Sequence, residues 1–169
     1  MRLLYGHSDE VAAWVASHVP HMPVGATFGE CYAIGVLDRQ GALVGGVVYH
    51  NYFPAYGNIE LSFAATSRKW LTRAIITELL DYAFITAKCQ RVTGVTPKHY
   101  KAARAFLDQF GFKREGVVRR GFGNDDAIIS GLLRSEWEAS RFNLRSRPRP
   151  AENTARQGNM PEVLVATPL

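Results

Sequence analysis

Three basic side chains lie where a predicted strand runs into a predicted helix. Arg68, Lys69 and Arg73 belong to the segment 66–73, which follows a strand expected at 58–65. The first turn of a helix carries N–H groups without intrahelical acceptors, and these create a partial positive charge. Backbone amides and cationic side chains together favour binding of an anion such as a pyrophosphate. The competing interpretation is a helix N-terminus whose basic side chains are simply solvated.

A carboxylate and a hydroxyl alternate along the preceding strand. Glu60 and Ser62 are two residues apart and share one face, whereas Ile59, Leu61 and Phe63 point to the other. A carboxylate accepts protons, and a hydroxyl can both donate and accept hydrogen bonds. The polar face is therefore a candidate site for acid–base chemistry. A solvent-facing glutamate on a strand explains the same pattern.

The elements that must position these residues follow from hydrophobic periodicity and from turn residues. Strands are predicted at 2–5, 31–37, 42–52, 58–65, 91–96, 117–122 and 127–133, and helices at 8–19, 71–84 and 102–110. Ser8 and Asp9 are expected to cap the first helix, and Gly111 to end the third. The order β-α-βββ-α-β-α-ββ predicts an α/β (α+β) fold, with a mixed sheet of six or seven strands and helices on both faces.

Length and composition fit one domain at 1–140, followed by a flexible basic tail at 141–169. The 169 residues are 47% hydrophobic, which is enough for a core. The tail holds five arginines against two glutamates, so it carries three of the five net positive charges. Cys31 and Cys89 lie in apolar runs and are expected to be core residues. We expect a cytoplasmic protein without a membrane span or a metal site.

The segment 58–116 resembles the core of the Gcn5-related N-acetyltransferase (GNAT) family. The strand Ile59-Glu60-Leu61-Ser62-Phe63, the helix after it and the strand from Arg91 have the family's order. The run 103–116 is similar to the family ending A-x-x-x-L-x-x-x-GF-x-x-EG, and the resemblance covers about residues 1–137. The helix start at Trp70-Leu71-Thr72-Arg73 is similar to that of members of bacteriophage type.

The resemblance implies acetyl-CoA as the acyl donor. Its binding residues would be Phe63, Ala64, Ala65, Arg68, Lys69, Trp70, Leu71, Thr72, Arg73, Lys101 and Arg104. The family loop usually has glycines that let its backbone approach the pyrophosphate closely. Arg68 and Trp70 occupy the expected glycine positions here. Either side chains replace that backbone contact, or the cofactor is held differently, or it is not bound.

The resemblance also implies catalytic residues for transfer from a thioester to an amine. Glu60 occupies the position of a catalytic base, and Ser62 shares its face. Leu107 stands where the family usually has a tyrosine that acts as the general acid. Tyr100 is our candidate for that role, with His99 and Ser130 as alternatives. A mechanism without a dedicated acid is also open. The cluster Tyr49, His50, Tyr52 and Tyr56 is either near the acceptor or simply edge-strand packing.

Three classes of function remain open from the sequence. The first is acetyl transfer from acetyl-CoA to a primary amine: an amino-modified base of phage DNA, a protein N-terminus, a lysine, a polyamine or an aminoacyl-tRNA. The second is a Mom-like, GNAT-fold DNA modification protein that does not use acetyl-CoA conventionally. The third is a non-catalytic binding or inhibitory protein. Nucleic acid and a second copy of the chain are candidate partners.

Overall fold

A seven-stranded mixed sheet forms the centre of the molecule in a computed structural model, which describes residues 1–144. The elements are β1 (Arg2–Leu4), α1 (Ser8–His18), β2 (Cys31–Leu37), β3 (Leu43–Phe53), β4 (Asn58–Ala65), α2 (Arg73–Asp81), β5 (Arg91–Pro97), α3 (Lys101–Gln109), β6 (Lys113–Phe122), β7 (Asp125–Leu133) and α4 (Arg134–Glu138). The strand order is β1-β2-β3-β4-β5-β7-β6. The predicted fold class is confirmed.

Helices cover both faces of the sheet, each over its own apolar cluster. Val48 of β3 and Ala64 of β4 face α1 and join the cluster around Val11 and Val15. Residues next to them in sequence point the other way, as strand geometry requires. On that second face Val47 packs with the apolar side chains of α2, α3 and α4. No helix within residues 1–144 is long and apolar enough to cross a membrane.

The only parallel pairing in the described sheet joins β4 to β5, and it is short. Asn58–Leu61 pair with Arg91–Gly94, and beyond these residues the two strands are no longer paired. β4 nevertheless continues to Ala65 and β5 to Pro97, and each stays paired to its outer neighbour. Phe63 of β4 stacks on Phe106 of α3 at a ring distance of 4.5 Å. The two strands thus separate beyond Leu61 and Gly94, and we call this gap the split. On one face of the sheet, aromatic side chains pack beside the split.

Trp70 is buried in the core rather than exposed on the loop before α2. Its indole is 4% exposed and stacks with Phe106 at 6.0 Å. The ring lies against Gly45 of β3, where an added Cβ would come within 2.3 Å of the indole atom Cε3. Gly45 thus makes room for the tryptophan. The large residue at an expected glycine position therefore packs into the core instead of standing exposed on the loop.

Three local predictions differ from the structure. Ser8 does not cap α1; its Oγ instead accepts the amide of Ala33 and ties the helix to β2. The helix after β4 changes to a π-helical turn at Tyr82–Thr86. Strand β6 begins at Lys113, earlier than predicted, because charged side chains there are held by ion pairs rather than by apolar burial. Lys113 pairs with Glu136 at 2.6 Å.

The two cysteines are both free thiols, as predicted from their apolar context. Cys89 is fully buried within the cluster under α2, whereas Cys31 is half-buried at the start of β2. Burial raises the pKa of both thiols above the ordinary value. They are therefore protonated near neutral pH and behave as small apolar side chains.

Candidate active site

A cleft of about 670 Å³ opens where β4 and β5 separate. Four segments line it: the end of β4 with the loop after it, the end of β5, the cleft-facing side of α3, and the end of α1 with the turn after it. The main lining residues are Leu61, Ser62, Phe63, Ala64, Ala65, Thr66, Ser67, Arg68, Trp70, Gly94, Val95, Thr96, Pro97, Tyr100, Ala102, Ala103, Ala105, Phe106, Gln109, His18 and His21. Since α1 and α3 pack on opposite faces, the cleft can be reached from both sides of the sheet.

The walls of the cleft include two unpaired strand edges. Beyond Leu61 and Gly94 the inner edge of β4 faces the inner edge of β5 without a shared register. Backbone N–H and C=O groups on these edges retain their hydrogen-bonding capacity. An extended ligand that carries amides could add to either edge, as peptides do in strand addition. The split therefore suits a linear, amide-containing molecule.

Thr96 is a buried polar side chain that faces this cleft. It is 7% exposed, and its Oγ1 has no hydrogen-bond partner among residues 1–144. An unpaired buried hydroxyl costs about 1–3 kcal/mol. Thr93, three residues earlier on the opposite face, is by contrast fully paired, donating to Asn58 Oδ1 at 3.0 Å and accepting from Arg91 Nε at 2.9 Å. A ligand that reaches this covered hydroxyl from the cleft would supply the partner that it lacks among residues 1–144.

The loop between β4 and α2 forms a tight turn that uses part of its own amides. The amide of Trp70 donates to Ser67 O, and the amide of Lys69 to Ser67 Oγ at 3.2 Å. Thr72 is the N-cap of α2, and its Oγ1 accepts the amide of Ile75. The amides of Arg73 and Ala74, the first of the helix, have no acceptor within the described chain.

Cationic side chains surround this turn. Arg68, Lys69 and Arg73 are exposed, and Arg68 lines the cleft. An anion bound here would be held by these side chains and by the first two amides of α2. The turn around Ser67 has no glycine, and it carries three exposed cationic side chains within and beside it.

A polar chain of four side chains lies on the α1 face beside the closed end of the cleft. His50 Nε2 is 3.0 Å from Ser62 Oγ. Glu60 is the cross-strand neighbour of His50, and its Oε2 accepts from Asn51 Nδ2 at 3.1 Å. Ser62 lines the cleft, but Glu60 and His50 do not. Glu60 and Ser62 share a face, as predicted, and the His50 imidazole on the neighbouring strand contacts Ser62.

Burial controls the protonation of His50. Desolvation lowers the pKa of His50 below its ordinary value, although the charge of Glu60 and a hydrogen bond with Asn51 act in the opposite direction. The ring of Phe28 covers the imidazole at 5.1 Å. His50 is therefore neutral near pH 7, and a neutral imidazole can accept a proton.

His21, one of the residues that line the cleft, makes an aromatic contact with the β6–β7 hairpin. His21, after α1, meets Phe122 at the tip of the β6–β7 hairpin at a ring distance of 4.7 Å. Burial, with a smaller contribution from His99, lowers the pKa of His21. His99 itself is held by Asp125, whose pKa is lowered by hydrogen bonds from the His99 amide and ring. Of these residues His21 lines the cleft, whereas Phe122, His99 and Asp125 do not.

The structure brings together some of the residues predicted from sequence and separates others. Ser62, Phe63, Ala64, Ala65, Arg68, Trp70 and Tyr100 line the cleft, while Glu60, Lys69, Leu71, Thr72, Arg73, Lys101 and Arg104 do not. Leu71 instead borders a small apolar cavity in the core. Tyr49 is buried, and its hydroxyl donates to Leu79 O at 2.6 Å. Thr96, His18 and His21 carried no sequence signal, because only the tertiary arrangement places them at the cleft.

No protein-family model matches the sequence, and no curated protein matches it. Among solved structures, the spermidine/spermine N-acetyltransferase of Vibrio cholerae in mutant forms is 20% identical, with a TM-score of 0.58 over 64% of this chain and 67% of that one. A chimera of the Vibrio cholerae spermidine N-acetyltransferase and hSSAT is 16% identical, with a TM-score of 0.65 over 80% and 97%. A GCN5-related N-acetyltransferase from Brucella melitensis is 24% identical, with a TM-score of 0.59 over 68% and 55%.

These likenesses establish the fold. The chain has the GNAT fold, with its mixed sheet, its helices on both faces and its split between β4 and β5. The resemblance seen in the sequence is confirmed at this level. The matched part spans 67% of the first of these structures and 55% of the Brucella melitensis protein.

Proposed function

We propose that the protein is an acetyl-CoA-dependent N-acetyltransferase that acts on a primary amine. The observation that carries the proposal is the split between β4 and β5, which opens into a cleft of about 670 Å³ beside a basic helix start. The structural neighbours named as acetyltransferases share this fold. The split alone would suit other linear ligands, but the cationic side chains at the start of α2 favour a ligand that carries phosphates.

The residues present fit acetyl-CoA. The strand edges beyond Leu61 and Gly94, together with the free hydroxyl of Thr96, would bind the amides of the pantetheine arm. The amides of Arg73 and Ala74 and the side chain of Arg68 would bind phosphate. The bound cofactor would supply an acetyl thioester near the closed end of the cleft.

Catalysis requires a neutral amine and a group that takes its proton. Ser62 lies at the closed end of the cleft and contacts His50, with Glu60 held behind them by Asn51. Tyr100 lines the cleft from the start of α3 and remains our candidate for the acid that protonates the leaving thiolate. Glu60 remains the predicted base in the simplest version of this mechanism.

The acceptor is the finer part of the proposal. Two structural neighbours are named as spermidine or spermidine/spermine N-acetyltransferases, which makes a polyamine one candidate amine. An amino-modified base of DNA is the second, in a bacteriophage-type member of the fold acting in the host cytoplasm. The net charge of +5 supports attraction to nucleic acid. One neighbour is described as dodecameric, and self-association is proposed here as well.

Initial rates of CoA release test the function. The full-length chain is incubated with acetyl-CoA and one amine at a time: spermidine, lysine, a peptide with a free N-terminus, and duplex DNA with an aminoalkyl base. Mass spectrometry of each acceptor detects the acetyl group. Acetylation of at least one amine above a no-enzyme control supports the proposal. Acetyl-CoA binding without acetylation of any of them would favour a non-catalytic protein, and absence of binding would favour DNA modification without acetyl-CoA.

A further inference from the structure

We propose that His50 is the proton acceptor of the transfer reaction and that it acts through the hydroxyl of Ser62. This inference rests on the proposed function, and it assigns the base to a residue other than Glu60. It follows from which polar groups reach the cleft and from how they contact one another.

Ser62 is the first residue of β4 beyond the last parallel pair, Leu61 with Gly94. It therefore lies at the closed end of the split and lines the cleft, where the thioester end of an extended donor would lie. Behind it, 3.0 Å from its Oγ, is His50 Nε2. Glu60 does not line the cleft, and its carboxylate already accepts a hydrogen bond from Asn51. An amine in the cleft can therefore transfer its proton directly to Ser62 but not to Glu60.

Burial keeps His50 in the basic form, whereas Glu60 and Asn51, the polar groups nearest to it besides Ser62, favour the imidazolium. Glu60 and Ser62 lie beside it on β4, and Cys31 is its cross-strand partner on β2. Burial raises the pKa of the Cys31 thiol, so this thiol contributes no negative charge at neutral pH. Phe28 shields the imidazole from the loop side. Glu60 is the one carboxylate among these neighbours, and it would stabilise the imidazolium once a proton has arrived.

The proposed step balances in atoms and charge. The amine nitrogen forms a bond to the carbonyl carbon of the thioester, and its proton moves to Ser62 Oγ. Ser62 passes its own proton to His50 Nε2. The C–S bond then breaks, the electron pair goes to sulfur, and Tyr100 gives its hydroxyl proton to the thiolate. The imidazolium then releases its proton through solvent to the Tyr100 phenolate. An amide and a free thiol are the products, and Ser62 and His50 return to their starting forms.

The test is the pH dependence of kcat/KM for the full-length chain with its best amine. Wild type is expected to lose activity on acidification, with an inflection below the ordinary histidine pKa of about 6.5, because His50 must be neutral to accept a proton. His50→Gln should lower kcat/KM about 100-fold or more and remove this acid limb. The inflection of the kcat/KM profile in the alkaline range, which is set by deprotonation of the acceptor amine, should stay. His7→Gln, an exposed histidine paired with Glu10, is the matched control and should leave the profile unchanged.

A double-mutant cycle tests the relay through the hydroxyl. Ser62→Ala should lower kcat/KM at least tenfold, and Ser62→Ala combined with His50→Gln should lose little more than His50→Gln alone. An unchanged affinity for acetyl-CoA in both single variants would show that the cleft is intact. Additive losses, or an acid limb that survives His50→Gln and disappears in Glu60→Gln, would overturn the relay alone. Absence of turnover by wild type would overturn the proposed function and the relay with it.

Discussion

At the residue scale, two substitutions that depart from the family pattern have structural explanations. Trp70 stands where a glycine is expected, yet its ring fills the core against Gly45. Arg68, at the other expected glycine position, lines the cleft and brings a charge to it. Gly45 on the strand beneath the loop thus makes room for Trp70, and Arg68 places a positive charge at the cleft.

Gly45→Ala should destabilise the protein because its Cβ would overlap the buried indole of Trp70. We expect the free energy of unfolding to fall by about 1–3 kcal/mol, as in other overpacked cores. Urea denaturation measures it. Gly116→Ala is the matched control, since no heavy atom lies within 4 Å of a Cβ at that strand position. Equal stability of the Gly45 and Gly116 variants would contradict the packing described for Trp70.

Thr96→Val should separate the folding role of that residue from its binding role. The hydroxyl has no partner within residues 1–144, so its removal should not lower the free energy of unfolding. The affinity for acetyl-CoA should fall about 3- to 10-fold, corresponding to one lost hydrogen bond. Thr93→Val, the paired threonine of the same strand, should instead cost about 1–3 kcal/mol of stability. Unchanged cofactor affinity in Thr96→Val, by calorimetry, would count against its contact with the ligand.

At the element scale, the site depends on where two parallel strands stop pairing. β4 and β5 separate after Leu61 and Gly94, and each is kept extended by its antiparallel outer neighbour. Gly94 lets Leu107 of α3 pack directly on β5, since an added Cβ would lie 3.0 Å from a leucine methyl. The helix is thereby held beside the split, where Phe106 meets Phe63.

Arg68→Glu should weaken binding of the acetyl-CoA phosphates without changing binding of the acetyl thioester end. We expect KM for acetyl-CoA to rise about tenfold or more, because a cation at the helix start becomes an anion. KM for a short acetyl thioester of cysteamine, which has no phosphate, should stay unchanged. Arg39→Glu, on the exposed hairpin after β2, serves as the charge-matched control. An equal rise in KM for both thioesters would mean that Arg68 acts elsewhere than at the phosphates.

At the scale of the whole molecule, the last described residues belong to the packed domain. Thr77 of α2 donates to Phe142 O at 2.6 Å, and the ring of Phe142 lies 5.1 Å from that of Phe110, the residue after α3. Asn143 is buried. The domain boundary at residue 140 stays a prediction, and Phe142 and Asn143, just beyond it, are packed against the domain. The predicted tail from residue 145 onward lies outside the described residues.

Two truncations test where the domain ends. Removal of 145–169 should leave the melting temperature and acetyl-CoA affinity close to those of the full chain. Removal of 141–169 should lower the melting temperature, because the Thr77 hydrogen bond and the Phe142 packing are lost. Circular dichroism on heating measures both. Equal melting temperatures for the two shortened chains would contradict the packing role of 141–144. Loss of duplex DNA binding on removal of 145–169 would assign nucleic-acid affinity to that segment.

The sequence predicted the order of the elements better than it predicted the composition of the site. Periodicity located the strands and helices because each buries one regular apolar face, as α2 does with Ile75 and Leu79. It missed the early start of β6, where ion pairs replace that pattern. It could not find Thr96 or His21, because their exposure to the cleft depends on a gap between strands. The contact between His50 and Ser62 likewise depends on the β3–β4 register.

Titration of the full-length chain with acetyl-CoA by isothermal calorimetry tests the central claim most directly. The claim is that the split between β4 and β5 binds this donor despite the missing loop glycines. We predict saturable binding of one acetyl-CoA per chain, with a Kd below about 1 mM, in the usual range of enzyme KM values. The binding should weaken in Thr96→Val and Arg68→Glu. No heat of binding at millimolar acetyl-CoA, from a chain with a cooperative melting transition, would contradict the account.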